Sequence, residues 1–388
     1  MNLKSVKLWH LFSALALMML GPQAYGEDIP PVLPIGASAP DFALQGVDGH
    51  LHKLSDYARS KVLVVVFLCN HCTESQLYES RIQKITSDYQ GKGVALVAIQ
   101  ADHPESVSTE QLAYSDVGES LAEMKSRAAY RHFTFPYLYD GDTQKVARLY
   151  RPTVVPQVFI FDQTRKLRYE GRIDDHPKES FAKSFDARNA IDGLLAGKSV
   201  EVAQTIPSGC PMQWAAKPSL IEAERAKMEA EPVNVMLTGA DELTRLRSNP
   251  TGKLLLVNFY ATWCGPCVSE FPELMATYRM YRGRNFTLTT VSSNEPEEQP
   301  DVLKFLKKMH ASSTNLLFGT SDTYTLQAAF DPNMGAAVPF TVLIAPNGDI
   351  VFQQQGDLDM LALRRAILAN LPDDDSHAGA QEYWSAKE

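Results

Sequence analysis

Apolar residues in this chain gather into short unbroken runs, separated by longer stretches with apolar positions at helical spacing. The run Leu254 to Tyr260 has strand length and almost no polar interruption, the pattern of a strand covered on both faces. A helix is predicted next over Val268 to Tyr281, then a strand over Phe286 to Ser292 and a helix over Val302 to His310. Thr341 to Ala345 and Ile350 to Gln354 predict a hairpin around Pro346-Asn347-Gly348-Asp349, whose Asn-Gly step favours a tight turn. Met360 to Leu371 predicts a closing amphipathic helix.

The first half repeats the order. Val62 to Leu68 predicts a strand, Leu77 to Tyr89 a helix, Val94 to Gln100 a strand, Val158 to Phe161 with Leu167 to Glu170 a hairpin, and Asp186 to Leu195 a helix. A polar insertion, Asp102 to Phe133, interrupts this copy. Strands alternating with helices, then a hairpin and a helix, imply an α/β chain in which each half is a central mixed sheet flanked by helices. The expected division is 34–200 and 233–371, joined by a linker over 201–232 with Cys210 and a short helix near Leu220 to Glu229. Residues 372–388, with Asp373-Asp374-Asp375, are expected to form an acidic disordered tail.

Composition agrees with two domains, since 388 residues at 45% hydrophobic exceed what one compact core usually holds. Lys4 and Lys7, followed by the apolar stretch Leu8 to Leu20 and the small residues of Ala24-Tyr25-Gly26, predict a signal peptide over 1–26. The stretch is shorter than the about 20 residues of a comfortable membrane span. An uncleaved N-terminal anchor is the alternative; no later segment has the length and hydropathy to cross a bilayer. A periplasmic or secreted location follows. Cleavage removes two lysines and no acid, leaving 35 basic against 46 acidic side chains, a net of −11. That balance argues against a nucleic-acid partner.

Four of the five cysteines form two tight pairs: Cys69-Asn70-His71-Cys72 after Val62 to Leu68, and Cys264-Gly265-Pro266-Cys267 after Leu254 to Tyr260. A stapled secreted protein carries more cysteines at wider spacing. A zinc ribbon places its second pair roughly 15–20 residues away, whereas Cys72 and Cys264 are 192 residues apart. Each pair therefore reads as a redox couple where a strand hands over to a helix. Free amides and the positive end of the helix dipole stabilise a thiolate there. The first cysteine of such a pair is the exposed one, so Cys264 and Cys69 are expected to attack, and Cys267 and Cys72 to resolve. The expected bridges are Cys264–Cys267 and Cys69–Cys72.

Trp263 to Cys267, Glu270, Phe271-Pro272 and the Val338-Pro339 step resemble a thioredoxin-fold domain of the TlpA/ResA type. The first half resembles the redoxin branch of the same superfamily, related to alkyl hydroperoxide reductases. It does so through Gly36 to Leu44, Asp48-Gly49, Cys69 to Cys72, Phe135 to Tyr139 and Gly209-Cys210. The resemblance covers most of residues 36–371 and implies two thioredoxin-like domains. It implies that Pro339 after Val338, and Pro156 after Val155, are cis and face the cysteines, where the neighbouring backbone pairs with an extended substrate. Trp263, Gly265 and Pro266 complete the expected substrate-binding set. Glu270 is implied as proton acceptor for Cys267, replacing the buried aspartate that thioredoxins carry where this chain has Asn258. The first half has Leu63 and Ser75 at those spacings. His71 resembles the histidine of DsbA-type oxidases, which stabilises a thiolate and makes the pair more oxidising. Cys210, with Gly209 and Trp214, matches a Gly-Cys…Trp segment of redoxin relatives, as a resting thiol or a third redox thiol.

The expected function is an extracytoplasmic thiol–disulfide oxidoreductase exchanging disulfides with protein substrates, without a cofactor or a metal. Electrons come from an unidentified donor, of which a membrane thiol–disulfide transporter is one class. Either the second dithiol reduces the first disulfide, or the domains serve separate substrates. A thiol peroxidase competes, but peroxiredoxins carry threonine or serine three residues before the peroxidatic cysteine. With Cys72 in that role the position holds Cys69. A copper chaperone also competes, although thioredoxin-fold copper proteins have one more residue between their cysteines.

Overall fold

A computed structural model of the chain describes residues 31–215, 219–335, 337–374 and 377–386. The expected signal peptide lies outside the described residues. Among those described, no helix is long and apolar enough to cross a membrane.

The first half contributes β1 (Ala43–Gly46), β2 (Leu51–Lys53), β3 (Val62–Leu68), α1 (Thr73–Asp88), β4 (Val94–Gln100), α2 (Leu121–Tyr130) and β5 (Tyr137–Tyr139). It continues with α3 (Ala147–Tyr150), β6 (Val154–Val155), β7 (Gln157–Phe161), β8 (Leu167–Gly171) and α4 (Asp186–Leu195). Seven of these strands form one mixed sheet in the order β2-β1-β5-β4-β3-β7-β8. The linker holds β9 (Cys210–Pro211) and α5 (Ser219–Glu229). The second half follows with β10 (Met236–Thr238), α6 (Ala240–Arg247), β11 (Leu254–Tyr260), α7 (Gly265–Tyr281), β12 (Phe286–Ser292) and α8 (Gln299–Lys308). It ends with β13 (Thr314–Phe318), α9 (Thr323–Phe330), β14 (Phe340–Ile344), β15 (Ile350–Gln355) and α10 (Met360–Asn370). Its sheet runs β10-β13-β12-β11-β14-β15.

Both central strands bury both faces, which is why their sequences are almost wholly apolar. Alternate residues of β3 enter two cores. Val62, Val64, Val66 and Leu68 meet Ile82 of α1 and Ile191 of α4, while Leu63, Val65 and Phe67 meet Tyr150 and Phe159. In β11, Leu254, Leu256 and Tyr260 meet Phe271 and Leu274 of α7, and Leu255, Val257 and Phe259 meet Leu243 and Phe330. Each such side chain contributes about 2 kcal/mol by leaving water. These strands therefore anchor the two corners that carry the cysteines.

The tail does not match its expected disorder. Residues Ala380–Ser385 form α11, with Tyr383 and Trp384 buried. Arg127 donates to the Tyr383 hydroxyl (2.9 Å), and Trp384 Nε1 donates to the Tyr114 carbonyl (3.2 Å). The acidic run had suggested a solvated segment; the two aromatics beyond it gain enough by burial to offset the ordering of the chain. Further bonds join the two halves: Tyr281 donates to the Ser115 carbonyl (2.7 Å), and Arg365 pairs with Asp116 (2.8 Å).

Candidate functional site

In the second half, β11 stops at Tyr260 and α7 starts at Gly265, leaving Cys264 as the helix cap. Cys264 N donates to the Ala261 carbonyl (3.2 Å), and Thr262 N donates to Asn294 Oδ1 (2.9 Å), which together shape the corner. Cys264 is bridged to Cys267, and its Sγ accepts from the Cys267 amide (3.3 Å). Cys264 is 7% exposed and Cys267 0%, so a substrate sulfur meets the first. That sulfur lies 3.6 Å from the carbonyl oxygen of Val338, whose bond to Pro339 is cis. Trp263, Gly265 and Pro266 are exposed around it. Glu270 sits one turn beyond Cys267 on α7. Its carboxylate accepts from Leu358 N (3.2 Å) and Asn258 Nδ2 (3.4 Å), and burial raises its pKa above the ordinary carboxyl range.

The first-half corner is displaced by three residues from the expected alignment. β3 stops at Leu68 and α1 starts at Thr73, so Cys72 caps the helix. The sheets agree, since Leu68 pairs with Gln100 on β4 as Tyr260 pairs with Ser292 on β12. Cys72 Sγ lies 3.5 Å from the carbonyl oxygen of Val155, ahead of the cis Val155–Pro156 bond. Cys72 thus corresponds to Cys264, Ser75 to Cys267 and Cys69 to Ala261. Val66 and Tyr78, not Leu63 and Ser75, correspond to Asn258 and Glu270.

This overturns the expected Cys69–Cys72 bridge and the attacking role of Cys69. Cys72 is bridged to Cys210, and Cys69 is a thiol only 1% exposed. A Cys-x-x-Cys spacing does not say which cysteine starts the helix. In the second half Pro266, within the first turn of α7, marks that start; Asn70 and His71 carry no such mark. Cys210 arrives because β9 pairs antiparallel with β6, placing it opposite Val155. Gly209 allows the approach, since a Cβ there would collide with the Val155 carbonyl.

His71, expected beside the attacking thiolate, is instead held by a carboxylate. It is 3% exposed, with Nδ1 2.7 Å from Glu119 Oε1 and 3.9 Å from Asp102 Oδ2. Glu119 also accepts from Asn70 N (2.9 Å), His71 N (2.8 Å) and Gln100 Nε2 (2.9 Å). Burial opposes the imidazolium, but Glu119 and then Asp102 outweigh it and hold the His71 pKa above its ordinary value. Burial pushes Asp102 up to about 6 against the pull of His71. Burial, reinforced by Asp102 and Glu119, pushes the Cys69 thiol well above its usual range.

Asp102, Gln100 and Glu119 were missed from sequence. The first two had a signal: Gln100 ends a strand beside β3 and Asp102 follows it by two residues, at the carboxyl edge where α/β sheets place their ligands. Glu119 lies in the polar insertion, where the Ser120–Glu123 capping box marks only the helix that follows.

The Cys72–Cys210 bridge opens onto a cleft of about 950 Å³ lined by His71, Tyr114, Arg279, Arg284 and Asp373, among others. Arg279 lies in the last turn of α7 and Arg284 three residues past its end, whereas Cys264 caps its beginning. The helix has 17 residues, and at 1.5 Å per residue its two ends lie ~25 Å apart.

The AhpC/TSA family pattern matches residues 35–170, and the redoxin pattern matches residues 226–365. Thiol-disulfide oxidoreductase ResA of Geobacillus kaustophilus (strain HTA426) is 28% identical over 137 residues, covering 34% of this chain and 67% of that protein. Probable nucleoredoxin 1 of Arabidopsis thaliana is 30% identical over 149 residues, 36% of this chain, which thereby spans only 25% of that relative. A solved structure of a hypothetical protein from Sinorhizobium meliloti 1021 is 31% identical with a TM-score of 0.43, over 48% of this chain and 98% of its own. One family pattern falls on each sheet, so the chain is a tandem protein, an AhpC/TSA-type domain followed by a redoxin-type domain that is similar to thiol–disulfide oxidoreductases.

Proposed function

We propose that this protein is an extracytoplasmic thiol–disulfide oxidoreductase acting on protein substrates through two centres, Cys264–Cys267 and Cys72–Cys210. The observation that carries the reading is the setting of Cys264, which caps a helix, is bridged to Cys267 and faces the Val338 backbone. In the reduced form, the Cys267 amide and the helix dipole favour the Cys264 thiolate. It attacks a substrate disulfide and one substrate thiolate leaves. Cys267 then attacks the Cys264 sulfur of the mixed disulfide, so the substrate departs as a dithiol and the protein keeps the bridge. Glu270 accepts the Cys267 proton, a task for which a raised carboxyl pKa suits it. A thiol donor, for which a membrane thiol–disulfide transporter is one class, returns two electrons.

Cys264 caps the start of α7, whereas the cleft at the Cys72–Cys210 bridge is lined by Arg279 near the other end, which supports separate substrates over direct exchange between the centres. The extracytoplasmic location rests on Lys4, Lys7, Leu8 to Leu20 and Ala24 to Gly26. The test is a trap: full-length Cys267→Ser protein is expected to form covalent adducts with disulfide-bonded proteins, released by a reductant. A folded Cys267→Ser protein that forms none defeats the reading.

One observation favours a second reading for the first half. Cys72 caps a helix in the domain matched by the AhpC/TSA pattern and has Cys210 as a resolving partner, the layout of a thiol peroxidase. Peroxide consumption by the reduced protein, abolished by Cys72→Ser, decides for it; no consumption decides against.

A further inference from the structure

Cys69 takes no part in either exchange, yet it sits in a built polar pocket. Its Sγ, a ring nitrogen of His71 and a carboxylate oxygen of Glu119 all lie within 4.8 Å of one another. Asp102 brings a second carboxylate: its Oδ2 is buried and unpartnered among the described residues, 3.9 Å from His71 Nδ1. Native interiors seldom leave such a carboxylate oxygen unpaired unless something else satisfies it. The surroundings hold the donors in place. Glu119 accepts from the amides of Asn70 and His71 and from Gln100, while Asp102 Oδ1 accepts from Gln213 N (2.6 Å). Bonds of this kind orient carboxylates around metals. The cation beside the pocket, Arg127, is committed to Asp116 (2.9 Å). His71 also lines the cleft in front of the Cys72–Cys210 bridge, which provides an entry path.

We propose that Cys69, His71, Glu119 and Asp102 form a binding site for a divalent metal ion of the zinc type. One thiolate, one imidazole and two carboxylates are a borderline-soft set of four donors, suited to tetrahedral Zn(II) with bonds of about 2.0–2.3 Å. Binding expels the Cys69 proton and the proton that His71 shares with Glu119, and no electron moves. The bound ion withholds the Cys69 sulfur from thiol exchange and braces the corner that presents Cys72.

Titration of the oxidised full-length protein with Co(II) tests this. Four of the five cysteines are then in bridges, so Cys69 is the remaining thiol. A sulfur-to-cobalt charge-transfer band in the near ultraviolet can come from no other residue. One Co(II) per chain is expected, displaced by Zn(II), with the band lost in Cys69→Ser and affinity reduced ~10- to 100-fold in Glu119→Gln. A folded protein without the band, or a band that survives Cys69→Ser, overturns the proposal. A second measurement needs no variant: Zn(II) should raise the wild-type Tm and chelation should return it. An unchanged Tm at saturating Zn(II) also overturns the site.

Discussion

The two strand–helix corners share one backbone plan and hold it with different chemistry. At β11–α7, neutral Asn294 receives the corner amide of Thr262, and the capping Cys264 finds its partner three residues along the chain. At β3–α1, the buried carboxylate of Glu119 receives the amides of Asn70 and His71, and Ser75 stands where the partner cysteine would be. The partner comes instead from the linker, 138 residues away. The backbone sets where a reactive sulfur sits, and the rest of the fold sets which sulfur reaches it. The charged version carries a further requirement: a buried carboxylate brings a histidine to balance it, whereas an amide needs none.

Activity offers the largest test of that contrast. Cys264→Ser is expected to cut protein-disulfide reduction at the second centre by about a thousandfold. Peptide mapping should find the Cys72–Cys210 bridge untouched. Scrambling of that bridge in Cys264→Ser would mean that the corners are not independent.

Stability comes next. Glu119→Ala strands two corner amides and a buried imidazole and should lower unfolding stability by about 3 kcal/mol, against about 1 kcal/mol for Asn294→Ala. Equal losses in denaturant titrations would erase the distinction between charged and neutral corners. Ser75→Cys probes partner choice more finely. The oxidised variant is expected to bridge Cys72 to the introduced cysteine, leaving Cys210 open to alkylation. A Cys210 that still resists alkylation would show that β9 pairing outcompetes proximity along the helix.

The smallest effect concerns Glu270. Its folded pKa is raised, so its contribution to stability is fully present below the ordinary carboxyl value of 4.5 and is lost as pH rises through the folded value. Glu270→Gln should therefore match wild type in Tm under acid and exceed it slightly at neutral pH. A Tm difference that does not change with pH would contradict the buried setting of this carboxyl.

The strands β3, β4, β11 and β12 coincide residue for residue with the apolar runs that predicted them, as does α4 with its amphipathic stretch. The short elements β10, α6, β13 and α9 were not predicted, because segments of three to eight residues carry too little periodicity to stand out. The Cys264–Cys267 bridge was legible too, since Pro266 marks the helix start beside it. Three features were not: the partner of Cys72, the pocket around Cys69 and the docking of Tyr383 and Trp384. Local patterning governs which residues extend, coil and turn inward, because those choices depend on neighbours a few positions away. Contacts such as Cys72 with Cys210, Glu119 with His71 and Arg127 with Tyr383 depend on how distant segments close around the sheets, and no short-range pattern encodes that closure.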